Sequence, residues 1–266
     1  MFEFFLGLVF LGIFAGLLSG FFGIGSGVVL VPAYVFLFNL LDVSEEIIPL
    51  LATGTSMTTM AITIPMAAIV HYKNSNVELD IVKKMFWVAF AMTFFGRYIA
   101  LFFESSTLQI IIATSLILAA FQISFDFKPK SKNISKSNLE LVVVAALLGL
   151  ITSFVGIGGG ILMIPYFLYK GLNPHKAIGT SSVMGFALAT SGALGSLLFA
   201  PIESKEMQFF VGSAFIPAVV ITGLSSIYFA RLGANLSAKT ESKYLKFAFS
   251  VLIIIAASRV FYITFV

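Results

Sequence analysis

Apolar residues run in long stretches along the 266-residue chain, at about 4–21, 26–40, 49–71, 84–103, 106–124, 139–155, 161–171, 174–199, 207–230 and 243–265. Short polar connections separate them. A helix that crosses a bilayer needs about 20 residues, each advancing it 1.5 Å. The stretches 49–71, 84–103, 106–124, 174–199, 207–230 and 243–265 reach or nearly reach that length. Segment 161–171 does not, since 11 residues cover only about 16 Å. The pattern predicts an all-α polytopic membrane protein in which 161–171 is a half-helix and 26–40 plays a related part.

Two glycine clusters interrupt these stretches. Gly20, Gly23, Gly25 and Gly27 are followed by Pro32, and Gly156, Gly158, Gly159 and Gly160 by Pro165. An offset of 133 residues places Gly16 on Gly149, Phe21 on Phe154, Gly23 on Gly156, Gly25 on Gly158, Gly27 on Gly160 and Pro32 on Pro165. In hydrocarbon a broken helix is tolerated only where protein or a watery cavity covers it. A break repeated in both halves of a membrane chain points to a transporter's binding site. A second echo, offset by 125 residues, pairs Pro49 with Pro174, Ala52 with Ala177, Gly54 with Gly179, Thr55 with Thr180 and Ser56 with Ser181. Asn173-Pro174 reads as an N-cap followed by proline at the first helical position.

Composition strengthens this picture. Hydrophobic residues make up 59% of the chain and charged ones 11%, against about a quarter charged in soluble domains, and the mean hydropathy is +1.05. Too little polar surface is left to cover a water-soluble globule. The net charge of +4 lies in short connections rather than along a stripe, so it orients the chain and is no nucleic-acid footprint. With no cysteine, disulfides, thiolate metal sites and thiol nucleophiles are excluded. Met1-Phe2-Glu3 lacks the basic region of a signal peptide, so the first apolar segment reads as part of the mature fold.

The one soluble-looking linker, 125–138, carries Lys128, Lys130, Lys132 and Lys136 and is expected in the cytoplasm. Counting back, the turn at Glu104 falls outside, the 72–83 loop inside, and the acidic turn Asp42 to Glu46 outside. Counting forward, a hairpin at the second glycine cluster puts Lys170, His175, Lys176, Arg231, Lys239, Lys243 and Lys246 inside and Glu203 to Glu206 outside. A single broken crossing would put all those cations outside, so the positive-inside rule selects the hairpin. The expected architecture is an inverted-topology repeat with both termini outside, in the plasma membrane. Each half, 1–124 and 139–266, would hold a glycine-tipped helical hairpin plus three transmembrane helices.

The segments GFFGIGSGVVLVPAY and SFVGIGGGILMIPYFL, with the paired Ala-x-Gly-Thr-Ser runs, resemble the TauE/SafE family of sulfite exporters, also described as permeases for sulfur-containing anions. The likeness runs from about residue 5 to 265. It implies a multi-pass permease for small anions such as sulfite or sulfoacetate. Ser26, where the second copy has Gly159, departs from the repeat; its hydroxyl would shift substrate preference or cap a helix.

The residue types suit an anion. Glycine permits positive φ and close approach of a ligand to the backbone, and successive N–H groups in such a turn form an anion-holding concavity. The helices that begin near Ser26 and Gly159 present positive N-terminal ends to the same spot. Gly23, Gly25, Ser26, Gly27, Gly156, Gly158, Gly159 and Gly160 are therefore candidate substrate contacts, set against a plain role in close packing. Thr55, Ser56, Thr180 and Ser181 would donate hydroxyls to the anion or back-bond to their own helix. Arg97, inside an apolar stretch, would gate or steer an anion, or snorkel and pair with Glu104; Arg259 poses the same choice. His71 and His175 would relay a coupling proton or mark the interface.

No cofactor or metal is expected, and the partners are a small anionic substrate, a coupling proton or ion, and the lipid bilayer. The alternative is an anion channel built on the same turns. An intramembrane enzyme fits poorly: a Gly-x-Ser-Gly motif fails at Ile24, and the glycine runs lack dinucleotide-binding spacing.

Overall fold

The computed structural model describes residues 2–124, 137–201 and 208–237, together with 251, 253–255, 257 and 258. Its helices are α1 (Phe2–Phe22), α2 (Gly27–Leu40), α3 (Ile48–Lys73), α4 (Leu79–Ala100), α5 (Ser105–Ser124), α6 (Asn138–Val155), α7 (Gly160–Tyr169), α8 (Pro174–Leu198) and α9 (Ile216–Ser237). Strands β1 (Phe210–Val211) and β2 (Ala214–Phe215) form a small antiparallel hairpin before α9. Among the described residues, five helices are long and apolar enough to cross a membrane: those at Phe4–Phe22, Ile48–Lys73, Asn138–Val155, Pro174–Leu198 and Ile216–Leu236.

The glycine clusters fall where the chain leaves one helix and starts the next, so each breaks a longer apolar run into two. Helix α7 has 10 residues, as its short apolar stretch requires. Asn173 caps α8 as expected, its side chain accepting from the Lys176 amide at 2.8 Å. The stretch 207–230 is not one helix from its start. Gly212 at φ +61° and Phe209 at φ +66° turn the chain through the hairpin, and α9 begins only at Ile216. The lysines of the 125–138 linker, Glu203 to Glu206, Lys239, Lys243, Lys246, Arg259 and most of the last apolar stretch lie outside the described residues.

Helices α3 and α8 pack against each other at the centre. Their buried faces are rich in small and hydroxylated residues, among them Thr53, Thr55, Ser56 and Thr59 on α3 and Thr180, Ser181, Gly185 and Ser191 on α8. The outer helices turn large apolar side chains outward, such as Phe10, Trp87, Phe102, Leu139 and Leu224. A polar, tightly packed centre inside an apolar coat is the arrangement lipid favours. Contacts recur between the halves: α1 lies on α9 as α6 lies on α4, α3 meets α9 as α8 meets α4, and α2 covers α3 as α7 covers α8.

Candidate functional site

The two glycine clusters form elbows that meet at the centre of the molecule. Gly23 and Gly156 have φ of +66° and +70°, and Gly25 and Gly158 have +84° and +83°. These left-handed angles cost a side chain about 1–2 kcal/mol, which accounts for glycine there. A Cβ on Gly25 would lie 2.9 Å from the Ile157 carbonyl oxygen and 3.5 Å from the Gly158 Cα. One on Gly27 would strike the Gly156 carbonyl, and one on Gly160 would strike the Ile24 backbone. Each elbow is thus seated in the other.

Ser26 is explained by the same angles. It sits at φ −73°, an ordinary right-handed conformation, whereas Gly159 at the matching place has φ +72°. The Ser26 hydroxyl caps nothing: it is buried and without a partner.

The backbone donors of the elbows are largely unused. Gly23 and Gly156 donate to the carbonyls of Ser19 and Thr152, both at 2.9 Å, but no acceptor meets the amides of Ile24 to Gly27 or Ile157 to Gly160 among the described residues. Between the elbows lies a cavity too narrow for a water molecule, lined by Ser19, Gly23, Gly25, Ile64, Ala67, Gly158, Ser181, Ser182 and Gly185. Of the sequence candidates, Gly23, Gly25, Gly158 and Ser181 line it. Ser26, Gly27, Gly156, Gly159 and Gly160 form the walls behind. Ser182 was not singled out by sequence, although the doublet Ser181-Ser182 was its available signal; its hydroxyl is buried without a partner.

The four paired hydroxyls bind neighbouring elements rather than their own helices. Ser56 Oγ donates to the Gly156 carbonyl at 2.8 Å, and Ser181 Oγ to the Gly23 carbonyl at 3.4 Å. Thr55 Oγ1 accepts from the Phe215 amide at 3.0 Å, and Thr180 Oγ1 from the Glu78 amide at 2.9 Å. Each threonine therefore serves an amide at the start of a helix, α9 or α4. The looser Ser181 contact leaves that hydroxyl the freest of the four to turn toward a ligand.

Arg97 neither snorkels nor pairs with Glu104. It is 1% exposed, enclosed by α3, α6 and the β-hairpin. Nη1 donates to Thr53 Oγ1 at 2.9 Å and to the Ser153 carbonyl at 3.0 Å; Nη2 donates to the Leu50 carbonyl at 3.1 Å and Ser213 Oγ at 3.2 Å. Its Nε has no partner. The Ser153 carbonyl belongs to the last turn of α6, whose C-terminal end carries partial negative charge, so the guanidinium caps that helix as it enters the second elbow. Arg97 lies behind the elbow and outside the cavity lining.

A model of the family described as "Sulfite exporter TauE/SafE" matches residues 8–260. The chain belongs to the TauE/SafE family. Among relatives of this TauE/SafE chain is a "Probable membrane transporter protein" of Haemophilus influenzae, 30% identical over 98% of this chain and 99% of that one. Another is "Probable membrane transporter protein YunE" of Bacillus subtilis, 23% identical over 96% of each. "Probable membrane transporter protein MJ0441" of Methanocaldococcus jannaschii is 27% identical over 91% of this chain and 90% of its own. No solved structure matches the chain. It is an all-α membrane transporter.

Proposed function

We propose that this transporter is a secondary carrier for small sulfur-containing anions such as sulfite or organosulfonates, bound between the two glycine elbows. The observation that carries the reading is the pair of facing elbows whose amides, from Ile24 to Gly27 and from Ile157 to Gly160, have no acceptor among the described residues, at a narrow cavity. Oriented amides and helix N-termini attract negative charge while leaving binding weak enough for release. Ser181 and Ser182 add hydroxyl donors on the α8 side, and the buried Arg97 charge raises the potential behind the second elbow. The family name, sulfite exporter, supports a sulfur oxyanion over a carboxylate.

The repeat 1–124 and the repeat 139–266 enter the membrane in opposite senses, with 125–138 cytoplasmic and both termini outside the cell. Matching contacts in the two halves support this, as does the distribution of Lys and Arg. Alternating access then follows from rocking of the outer helices about a shared centre.

Reconstituted protein tests the reading. Uptake should be seen for at least one of sulfite, sulfate, thiosulfate, sulfoacetate and taurine, and should exceed that of acetate. Vesicles preloaded with the unlabelled anion should accumulate labelled anion, as a carrier does and a channel does not. Equal currents for all anions without counterflow would assign the same elbows to a channel.

A further inference from the structure

The two halves differ in the layer behind the elbows. Gly96 on α4 packs against Leu150 and Ser153 of α6, as Gly233 on α9 packs against Leu17 and Phe21 of α1. The residue after each is Arg97 in one half and Ala234 in the other. The Ser196 carbonyl accepts from the Ser213 amide at 2.8 Å, as the His71 carbonyl accepts from the Asn76 amide at 3.0 Å. His71 therefore stands where the other half has Ser196, beside the place Arg97 would fill.

The imidazole of His71 is 2% exposed, and neither ring nitrogen has a hydrogen-bond partner. It faces the Gly20 carbonyl; His175, the other histidine of the chain, is exposed at the start of α8. Gly20 corresponds to Ser153, and its carbonyl is an orphan of the last turn of α1, with no backbone donor among the described residues. Ala67, one turn before His71 on α3, lines the elbow cavity, which puts His71 about 6 Å further along the helix.

Resting on the anion-carrier reading, we infer that His71 is the proton-coupling group: a proton on its imidazole and an anion between the elbows bind cooperatively. Neutral imidazole leaves the negative end of α1 uncompensated beside the site. Imidazolium donates to the Gly20 carbonyl and supplies at the first elbow the charge that Arg97 supplies permanently at the second. An anion in the cavity stabilises that charge, and by linkage the charge strengthens anion binding. The imidazole takes its proton from water on the side where the anion enters and gives it up on the side where the anion leaves, so proton and anion cross together.

The other charged groups on the elements around His71 are few. Lys73 lies on its own helix and Arg231 on α9, and Lys176 on α8 is held by Glu78 at 3.0 Å. Over its packed turn near Gly20, α1 brings no charged side chain, only backbone, apolar groups and the buried Ser19 hydroxyl.

The test is uptake of labelled sulfate, thiosulfate and sulfoacetate, whose charges stay constant from about pH 5.5 to 8, into proteoliposomes at subsaturating anion. Because the imidazolium is the form that favours the anion, wild-type uptake should fall about tenfold or more over that range. His71→Gln should flatten the profile, and His71→Lys should flatten it while keeping uptake. His175→Gln should keep the wild-type slope. A wild-type slope in monodisperse His71→Gln overturns the coupling role and leaves the elbow site standing. Loss of uptake at every pH in folded His71→Lys also overturns it, because lysine restores the charge. Absence of uptake of all three anions by the wild type overturns the carrier reading and this inference with it.

Discussion

Ser26 and Gly159 hold matching places with opposite backbone signs, φ −73° and +72°, and that difference sets what each tolerates. Ser26→Gly should change stability by less than about 1 kcal/mol. Gly159→Ser forces a side chain into the left-handed region and into Leu188, and should cost about 1–2 kcal/mol or more. Thermal unfolding in detergent checks both. Gly158→Ala carries the same left-handed strain of about 1–2 kcal/mol, but its Cβ would meet the flexible end of Met60 at 3.1 Å rather than backbone. That variant should remain folded and lose transport about tenfold or more, the equivalent of about 1.4 kcal/mol.

Arg97 is the residue the sequence described least well. Its depth in an apolar stretch was visible, but its partners Thr53, Ser153 and Ser213 lie 44, 56 and 116 positions away, and no local pattern brings them together. Arg97→Gln should lower stability by about 2–3 kcal/mol, the scale of losing hydrogen bonds from a charged donor. Arg97→Lys should recover only part, since one ammonium cannot reproduce the planar fork. Unfolding midpoints of purified protein test the ranking.

At the level of elements, the glycine breaks were legible because each combines an interrupted apolar run, an internal copy and a proline at fixed distance. The half-length of α7 followed from counting residues. The β-hairpin was hidden because Phe209 to Phe215 is as apolar as the helix that follows, and Gly212 was its single turn signal. The destination of the paired hydroxyls was hidden too, since back-bonding and cross-helix bonding use the same residue types. Thr180→Val would leave the Glu78 amide at the start of α4 without its 2.9 Å acceptor and should cost about 1 kcal/mol. Thr55→Val should cost a similar amount through the Phe215 amide. Near-equal losses in the two unfolding curves would show that these threonines do the same work in each half.

Across the whole molecule, composition alone placed the chain in lipid, and the repeat predicted which segments lie at its centre. The structure adds an inside-out distribution, with hydroxyls and glycines on α3 and α8 and large apolar side chains outward. Such a protein has little area-driven cohesion in lipid and depends on close fit between small residues.

The mutual seating of Gly27 against the Gly156 carbonyl and Gly160 against Ile24 has a consequence for inheritance. Neither bend can drift alone, because a methyl group gained by one would have to be matched by space opened in its twin. A chimaera taking its first 124 residues from one relative and the remainder from another should therefore assemble only when both donors carry the same interlock. Splitting the gene at the lysine-rich linker and co-expressing the pieces should, by contrast, restore a working pair, since the clasp itself holds them together.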